Sequence, residues 1–148
     1  MKALIQRVNN ASVSVGGDKI SEIDRGLLVM IGIKDGDDDQ DINYVVDKTV
    51  NMRIFETEDK KLDHSVTDIN GEILVVSQFT LYGECNKGRR PDFSGAAPAD
   101  YAKNIYEKTV QAFKNKGLTI KEGKFQSYMM ISLTNDGPVT IMLESRSK

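Results

Sequence analysis

The residues best suited to chemistry lie in "VVSQFTLYG", Val75 to Gly83. Ile73, Leu74, Val75, Val76, Phe79 and Leu81 are apolar enough for a strand buried on both faces, yet Ser77, Gln78 and Thr80 interrupt them just before a Gly-rich loop. Buried polar groups need partners, and two readings are open. The side chains cap backbone groups at a strand end, or they wall a pocket in which hydroxyls, an amide and free main-chain N–H groups face a ligand. A second cluster follows in "NKGRRPD", where Lys87, Arg89 and Arg90 sit on a Gly and Pro loop. Such a cluster is either solvated or grips phosphate oxygens, since adjacent Arg side chains can bind them bidentately.

Other constellations fail on spacing. Asp35, Asp37, Asp39 and Asp41 alternate like calcium ligands, but counting from Asp35 the sixth position is Gln40 where Gly is needed, and the twelfth is Val46 where Glu is needed. Asp63, His64 and Ser65 are adjacent, so their side chains diverge and cannot form a hydrolase triad. With Cys85 and His64 the only residues of their kinds, no zinc set exists and no disulfide can close within the chain. Cys85 lacks a base to activate it as a nucleophile. Neither a metal nor a cofactor is expected.

These residues must be positioned by a scaffold of 148 residues with 39% hydrophobic content, read as one domain over 1–148. The 20 basic and 22 acidic residues leave a net charge of -2, so any contact with a polyanion must be local. "MKALIQRVNN" has no long apolar region and no run suits a membrane span, which gives the expectation of a soluble cytoplasmic protein without membrane contact. "ALIQRV" and "ASVSV" are extended, Gly16-Gly17 supplies a turn and "KISEI" returns. "GLLVMIGI" is another strand, and Ile42, Val45, Val46, Thr49 and Val50 form one helical stripe after an acidic first turn. "ILVVSQFTLYG" reads as a strand. A second helix opens at Pro98, as its first residue, and stops at Gly117. "TIKEGKF", "MMISLTN" and "VTIMLES" read as three final strands, the last two joined through "NDGP". The expected class is α/β: a mostly antiparallel or mixed sheet with two main helices.

"SQFTL" at 77–81 and "NDGPVT" at 135–140 together resemble the two signatures of the D-aminoacyl-tRNA deacylase family. "IQRV", "RGLLV", "NMRIFE" and "KGRRPDFSGAAP" extend the resemblance over essentially the whole chain. The resemblance implies a homodimer of small α/β subunits with a barrel-like core, which hydrolyses the ester between a D-amino acid and the 3′-terminal ribose of tRNA. Ser77, Gln78, Phe79 and Thr80 would line the ester. Gly137 and Pro138 would be the chirality filter, with a cis peptide bond, acting across the dimer interface. Arg7 would hold that pair, Thr140, Met129 and Phe125 would complete the substrate pocket, and Lys87, Arg89 and Arg90 would face the tRNA acceptor end. One departure stands out: the family pattern Phe-Gly-Ala-x-Met is here "FQSYM", with Gln126 and Ser127 in place of the small pair, which bears on how the terminal adenosine is seated.

Ester hydrolysis passes through a tetrahedral oxyanion, and fixed N–H donors stabilise it at least cost; those of Phe79 and Thr80 are the candidates. The Thr80 hydroxyl is an alternative nucleophile, but no His lies near it in sequence. The resemblance favours participation of the tRNA's own 2′-hydroxyl and a water. A main-chain wall at Gly137 and Pro138 excludes an L substituent whatever its side chain, because mirror-image substrates project Cα substituents to opposite sides. Varied D substrates, and glycine, should then be accepted. The rival expectation is a tRNA- or nucleotide-binding module without chemistry.

Overall fold

The computed structural model describes residues 1–145. Strand β1 (Lys2–Val15) turns at Gly16 and Gly17 into β2 (Asp18–Ile23), as the alternation predicts, and β3 (Gly26–Gly32) returns beside the first half of β1. Helix α1 (Asp39–Asn51) then carries the chain across to a parallel partner of β3, strand β6 (Glu72–Ser77). Helix α2 (Ala99–Lys114) makes the next crossover, to β7 (Thr119–Glu122), again parallel. The last strand, β8 (Met130–Glu144), runs antiparallel along β1 from end to end. The sheet order is therefore β2-β1-β3-β6-β7 with β8 on the free side of β1, a mixed sheet that curls into a nearly closed barrel with two helices on one face.

The apolar runs of β3 and β6 follow from their central place. Leu27, Val29, Ile31, Ile73 and Val75 pack beneath the helices with Ile42, Val46, Val110 and Phe113. Leu28, Leu74 and Val76 point the other way, into the barrel interior with Val8, Ala11, Val13 and Ile23. A strand pair buried on both faces has no use for alternation, which is why "ILVV" is continuous. Each fully buried side chain of this size contributes about 1.5–3 kcal/mol of transfer free energy. The acidic run serves the helix: Asp38 caps α1 by accepting from the Gln40 amide, Asp41 reaches back to the Asp38 amide, and Asp37 is buried against the Met1 amino group at 2.7 Å.

Four features differ from the sequence reading. β6 ends at Ser77, and Phe79–Tyr82 forms a single 3₁₀ turn instead of continuing the strand. The turn packs on Gly32, where a Cβ would stand 3.0 Å from Leu81 Cβ and 3.2 Å from the Gln78 oxygen, so side-chain bulk on β3 would push it away. "MMISLTN" and "VTIMLES" are one strand, because "NDGP" bulges within β8 and does not reverse it; the register against β1 slips between Gln6 and Val8 and again before Asn10. Pro98 is the N-cap of α2, not its first residue. Two short strands absent from the sequence reading, β4 (Phe55–Glu56) and β5 (Leu62–His64), pair as a small separate ribbon.

Candidate functional site

A cavity of about 370 Å³ opens where β6 gives way to the 3₁₀ turn. Its floor is Ile31 and Ile33, Ser77, Gln78 and Phe79 form one wall, and the start of α2 with Phe125 and Gln126 forms the other. The wall is mostly apolar with few polar groups, the composition of a small-molecule site. The Gln78 amide nitrogen donates to the Ile31 oxygen at 2.7 Å, the last sheet bond before the turn. Beyond it, the main-chain N–H groups of Phe79 and Thr80 have no protein partner among the described residues, as the first amides of a helical turn do not. They are free to receive an acceptor. The Thr80 side chain is exposed and its hydroxyl is held by the Gln78 side-chain amide. The chain's one histidine, His64, lies exposed on β5.

The rim is aromatic. The Phe79 and Phe93 rings meet edge to face with centroids 5.2 Å apart, both partly exposed, and Phe125 leans on Tyr106 at 5.8 Å. Burial pushes the Tyr106 phenol above its ordinary range, with the negative charge of Glu122 adding to the shift, and its hydroxyl donates to the Val75 oxygen at 3.0 Å. Phe93 also ties the basic loop to the cavity. Glu84 and Asp92 pair main chain to main chain at the base of that loop, so the exposed Lys87, Arg89 and Arg90 lie on a segment followed directly by Phe93, which walls the site. Cys85, on the same loop, is exposed.

The second group of candidates lies elsewhere. Arg7, only 4% exposed, donates from Nε to the Asp136 main-chain oxygen at 3.2 Å, pairs with the Asp136 carboxylate at 3.1 Å, and donates from Nη1 to the Ile54 oxygen at 2.6 Å. Asn135 closes the other side of the bulge, its amide donating to the main-chain oxygens of Arg7 at 3.0 Å and Val139 at 2.9 Å. Between these clamps Gly137 and Pro138 are exposed, their peptide bond is cis, and Gly137 has φ +122°. A Cβ on Gly137 would stand 2.8 Å from Arg7 Nη2. Thr140 is exposed and accepts from the Gln6 amide at 3.2 Å. Met129 folds its sulfur over Gly123, where a Cβ would come within 2.8 Å, and accepts from the Lys124 amide at 3.4 Å.

The fold thus brings Ser77, Gln78, Phe79 and Phe125 together around one cavity, whereas Gly137, Pro138, Thr140, Met129 and Arg7 are not among its lining residues. Registers give the separation. Ser77 is level with Ile31 and Ala3, and the bulge is level with Arg7, four residues further along β1, or ~13 Å; three strand spacings, ~14 Å, separate β6 from β8. Sequence reasoning missed Asn135 and Asp136 as clamps and Phe93 as a wall residue, whereas Gln126, singled out as a departure from the family pattern, lines the cavity. The first two gave no separate signal, because Asn and Asp before Gly-Pro are also what a turn calls for. Among the described residues no group of His, Cys, Asp or Glu could hold a metal ion, and no helix is long and apolar enough to cross a membrane.

Comparison with known proteins gives consistent matches. The sequence model of a family described as "D-Tyr-tRNA(Tyr) deacylase" matches residues 4–144. A D-aminoacyl-tRNA deacylase of Halothermothrix orenii is 54% identical over 148 residues, covering 100% of this chain and 99% of the relative. One from Clostridioides difficile is 52% identical over 145 residues, covering 98% and 97%. A solved structure described as "c-Myc DNA Unwinding Element Binding Protein" is similar with a TM-score of 0.93 at 45% identity, covering 99% of this chain and 100% of that one. Another, of a probable eukaryotic D-amino acid tRNA deacylase, has a TM-score of 0.84 at 19% identity over 97% and 98%, a likeness of fold.

Proposed function

The chain belongs to the D-Tyr-tRNA(Tyr) deacylase family, and from that premise we propose how its residues remove D-amino acids from tRNA by hydrolysis of the ester. The observation that carries the reading is the cavity bounded by Ser77, Gln78 and Phe79, beside which the Phe79 and Thr80 amides point without partners. The ester carbonyl seats against these two N–H groups, which take the negative charge of the tetrahedral intermediate. Water attacks, and the 2′-hydroxyl of the terminal ribose, next to the ester, is placed to relay its proton. The Thr80 hydroxyl, held by Gln78 and far in sequence from His64, is not the nucleophile. Lys87, Arg89 and Arg90 receive the phosphates of the acceptor end.

Handedness is read by main chain. Arg7 and Asn135 fix the bulge so that Gly137 and Pro138 present a rigid, side-chain-free surface. Such a wall excludes a substituent on one side of Cα irrespective of its chemistry, so varied D esters and glycyl esters are substrates and L esters are not. Since the bulge and the cavity lie apart within one subunit, the wall acts on the cavity of a second subunit in a homodimer. β8 supports this reading: it is a 15-residue edge strand whose outward face carries Met130, 63% exposed, and Met142, 52% exposed. A long apolar edge of this kind is ordinarily covered.

The test is incubation of the protein with D-tyrosyl-tRNA and L-tyrosyl-tRNA in parallel, following ester loss. Release of D-tyrosine alone is expected. Retention of both esters with tRNA still bound would leave only a binding module.

A further inference from the structure

The 3₁₀ turn that carries the Phe79 and Thr80 amides has little burial to hold it in place. None of Phe79–Tyr82 is buried, and Phe79 is 58% exposed. Within the turn the Leu81 amide donates to the Gln78 oxygen at 3.2 Å and the Gly83 amide to the Thr80 oxygen at 2.9 Å. Beyond the sheet bond of Gln78, one hydrogen bond joins the turn to the barrel among the described residues: Lys2 Nζ, on β1, donates to the Leu81 oxygen at 3.4 Å. The same ammonium stands over the Tyr82 ring, 4.8 Å from its centroid. The Tyr82 ring also packs on Gly32, where a Cβ would lie 3.3 Å from its Cδ2 atom. Its hydroxyl is buried with no hydrogen-bond partner among the described residues, so the ring is held by its faces and not by its polar end. Lys2 itself springs from a fixed point, because Met1 is buried and its amino group donates to the Asp37 carboxylate at 2.7 Å and to Ser145 Oγ at 2.8 Å.

Resting on the deacylase reading above, we propose that Lys2 is a positioning residue for ester hydrolysis: by gripping Leu81 and Tyr82 together it fixes the turn whose first amides receive the oxyanion. Donors stabilise a developing charge best when they are already in place and need no reordering as the charge forms. A turn fixed only at Gln78 can rock about that end, and a displacement of about 1 Å at the reacting atoms can lower a rate by as much as ~10²-fold. An ammonium suits the task. One of its N–H bonds reaches the Leu81 carbonyl while its charge faces the π-electrons of Tyr82, so two adjacent residues are restrained by one group. Lys2 is not among the residues that line the cavity, so its influence falls on the rate of the chemical step and not on substrate binding.

The experiment follows single-turnover hydrolysis of D-tyrosyl-tRNA at increasing protein concentration for the wild type, Lys2→Met, Lys2→Arg, Tyr82→Leu and the double variant Lys2→Met/Tyr82→Leu, each checked for its fold by circular dichroism. Lys2→Met keeps the stem but loses the charge and the donor. Its limiting rate is expected to be about tenfold below that of the wild type, with the half-saturating concentration within about twofold. Lys2→Arg, which can both donate to a carbonyl and stack on a ring, should recover the rate to within about threefold. The double variant should be about as slow as the slower single variant, because both substitutions release the same clamp. A wild-type rate in Lys2→Met, an equal loss in Lys2→Arg, or losses that multiply in the double variant would overturn the proposal. So would a loss confined to the half-saturating concentration, which would make Lys2 a tRNA contact. Should Lys2→Met not fold, Tyr82→Leu alone decides by the same split between rate and half-saturation. Absence of any D-tyrosyl-tRNA hydrolysis by the wild type would instead overturn the deacylase reading on which the proposal rests.

Discussion

Arg7 and Asp136 meet twice, once through the main-chain oxygen at 3.2 Å and once through the carboxylate at 3.1 Å, both from the same Nε. A third bond from Nη1 to the Ile54 oxygen makes the guanidinium the peg between strand β1, the β8 bulge and the segment before β4. Lysine has one compact ammonium and cannot span these partners. Arg7→Lys should therefore loosen the bulge and lower deacylation of D-tyrosyl-tRNA at least tenfold, and Arg7→Ala, which strands the Ile54 oxygen and the Asp136 charge, should cost about 3–5 kcal/mol in urea unfolding. Wild-type stability in Arg7→Ala would refute the peg.

Gly137→Ala tests the wall. The new Cβ would meet Arg7 Nη2 at 2.8 Å and Val139 Cγ2 at 2.9 Å, on a backbone with φ +122° that L residues avoid. The expected result is a loss of about 1–3 kcal/mol in stability and a fall in the ratio of D- to L-tyrosyl-tRNA hydrolysis. Measuring both substrates separates the two effects, since mere destabilisation leaves the ratio alone.

Thr80→Ala should keep substantial activity, because the catalytic contribution assigned to position 80 is its N–H, which every residue but proline supplies. Single-turnover hydrolysis of D-tyrosyl-tRNA is the measurement. Complete loss with unchanged tRNA binding would mean that the Thr80 hydroxyl forms a covalent intermediate.

Alkaline pH should destabilise the fold through its buried phenols. Burial raises the pKa of both Tyr106 and Tyr82, with Glu122 adding to the first and Asp37, Glu144 and Asp41 to the second. A raised folded-state pKa means that the native chain holds a proton which the unfolded chain releases near pH ~10, so stability is intact below that pH and declines as pH rises above it. Urea midpoints between roughly pH 8 and 11 should show the decline, and Tyr106→Phe should make it shallower. Equal slopes in the two proteins would exclude Tyr106 as a contributor.

Met142→Glu places a charge on the outward face of β8. If that face is the dimer interface, the variant should sediment as a monomer and lose deacylation while keeping its helical and strand signal. A dimer that persists in Met142→Glu would locate the interface elsewhere.

Much of the scaffold was legible because its cues are local. Alternation in "ASVSV" and "KISEI" around two glycines can only be a hairpin, and the stripe from Ile42 to Val50 can only be an amphipathic helix. The pocket-wall reading of Ser77 and Gln78 was legible for a similar reason, since polar residues in an apolar run need an explanation. What could not be read was non-local. "NDGP" carries every local mark of a turn, and it lies within one strand because Arg7 and Asn135, paired across β1 and β8, hold the bulge in place. β6 stops at Ser77 because Gly32, on a neighbouring strand, makes room for a turn there. Gln126 reaches the cavity only through a left-handed backbone that propensity argues against.

The separation of cavity and bulge along β1 carries a genetic corollary. In a symmetric dimer each complete centre would draw its cavity from one subunit and its wall from the other. Two defective alleles, one broken at Gln78 and one at Gly137, would then rescue each other when co-expressed: random pairing makes about half of the dimers mixed, each of these has one centre built from two intact halves, and about a quarter of all centres work. Neither allele alone could restore the other's loss by abundance.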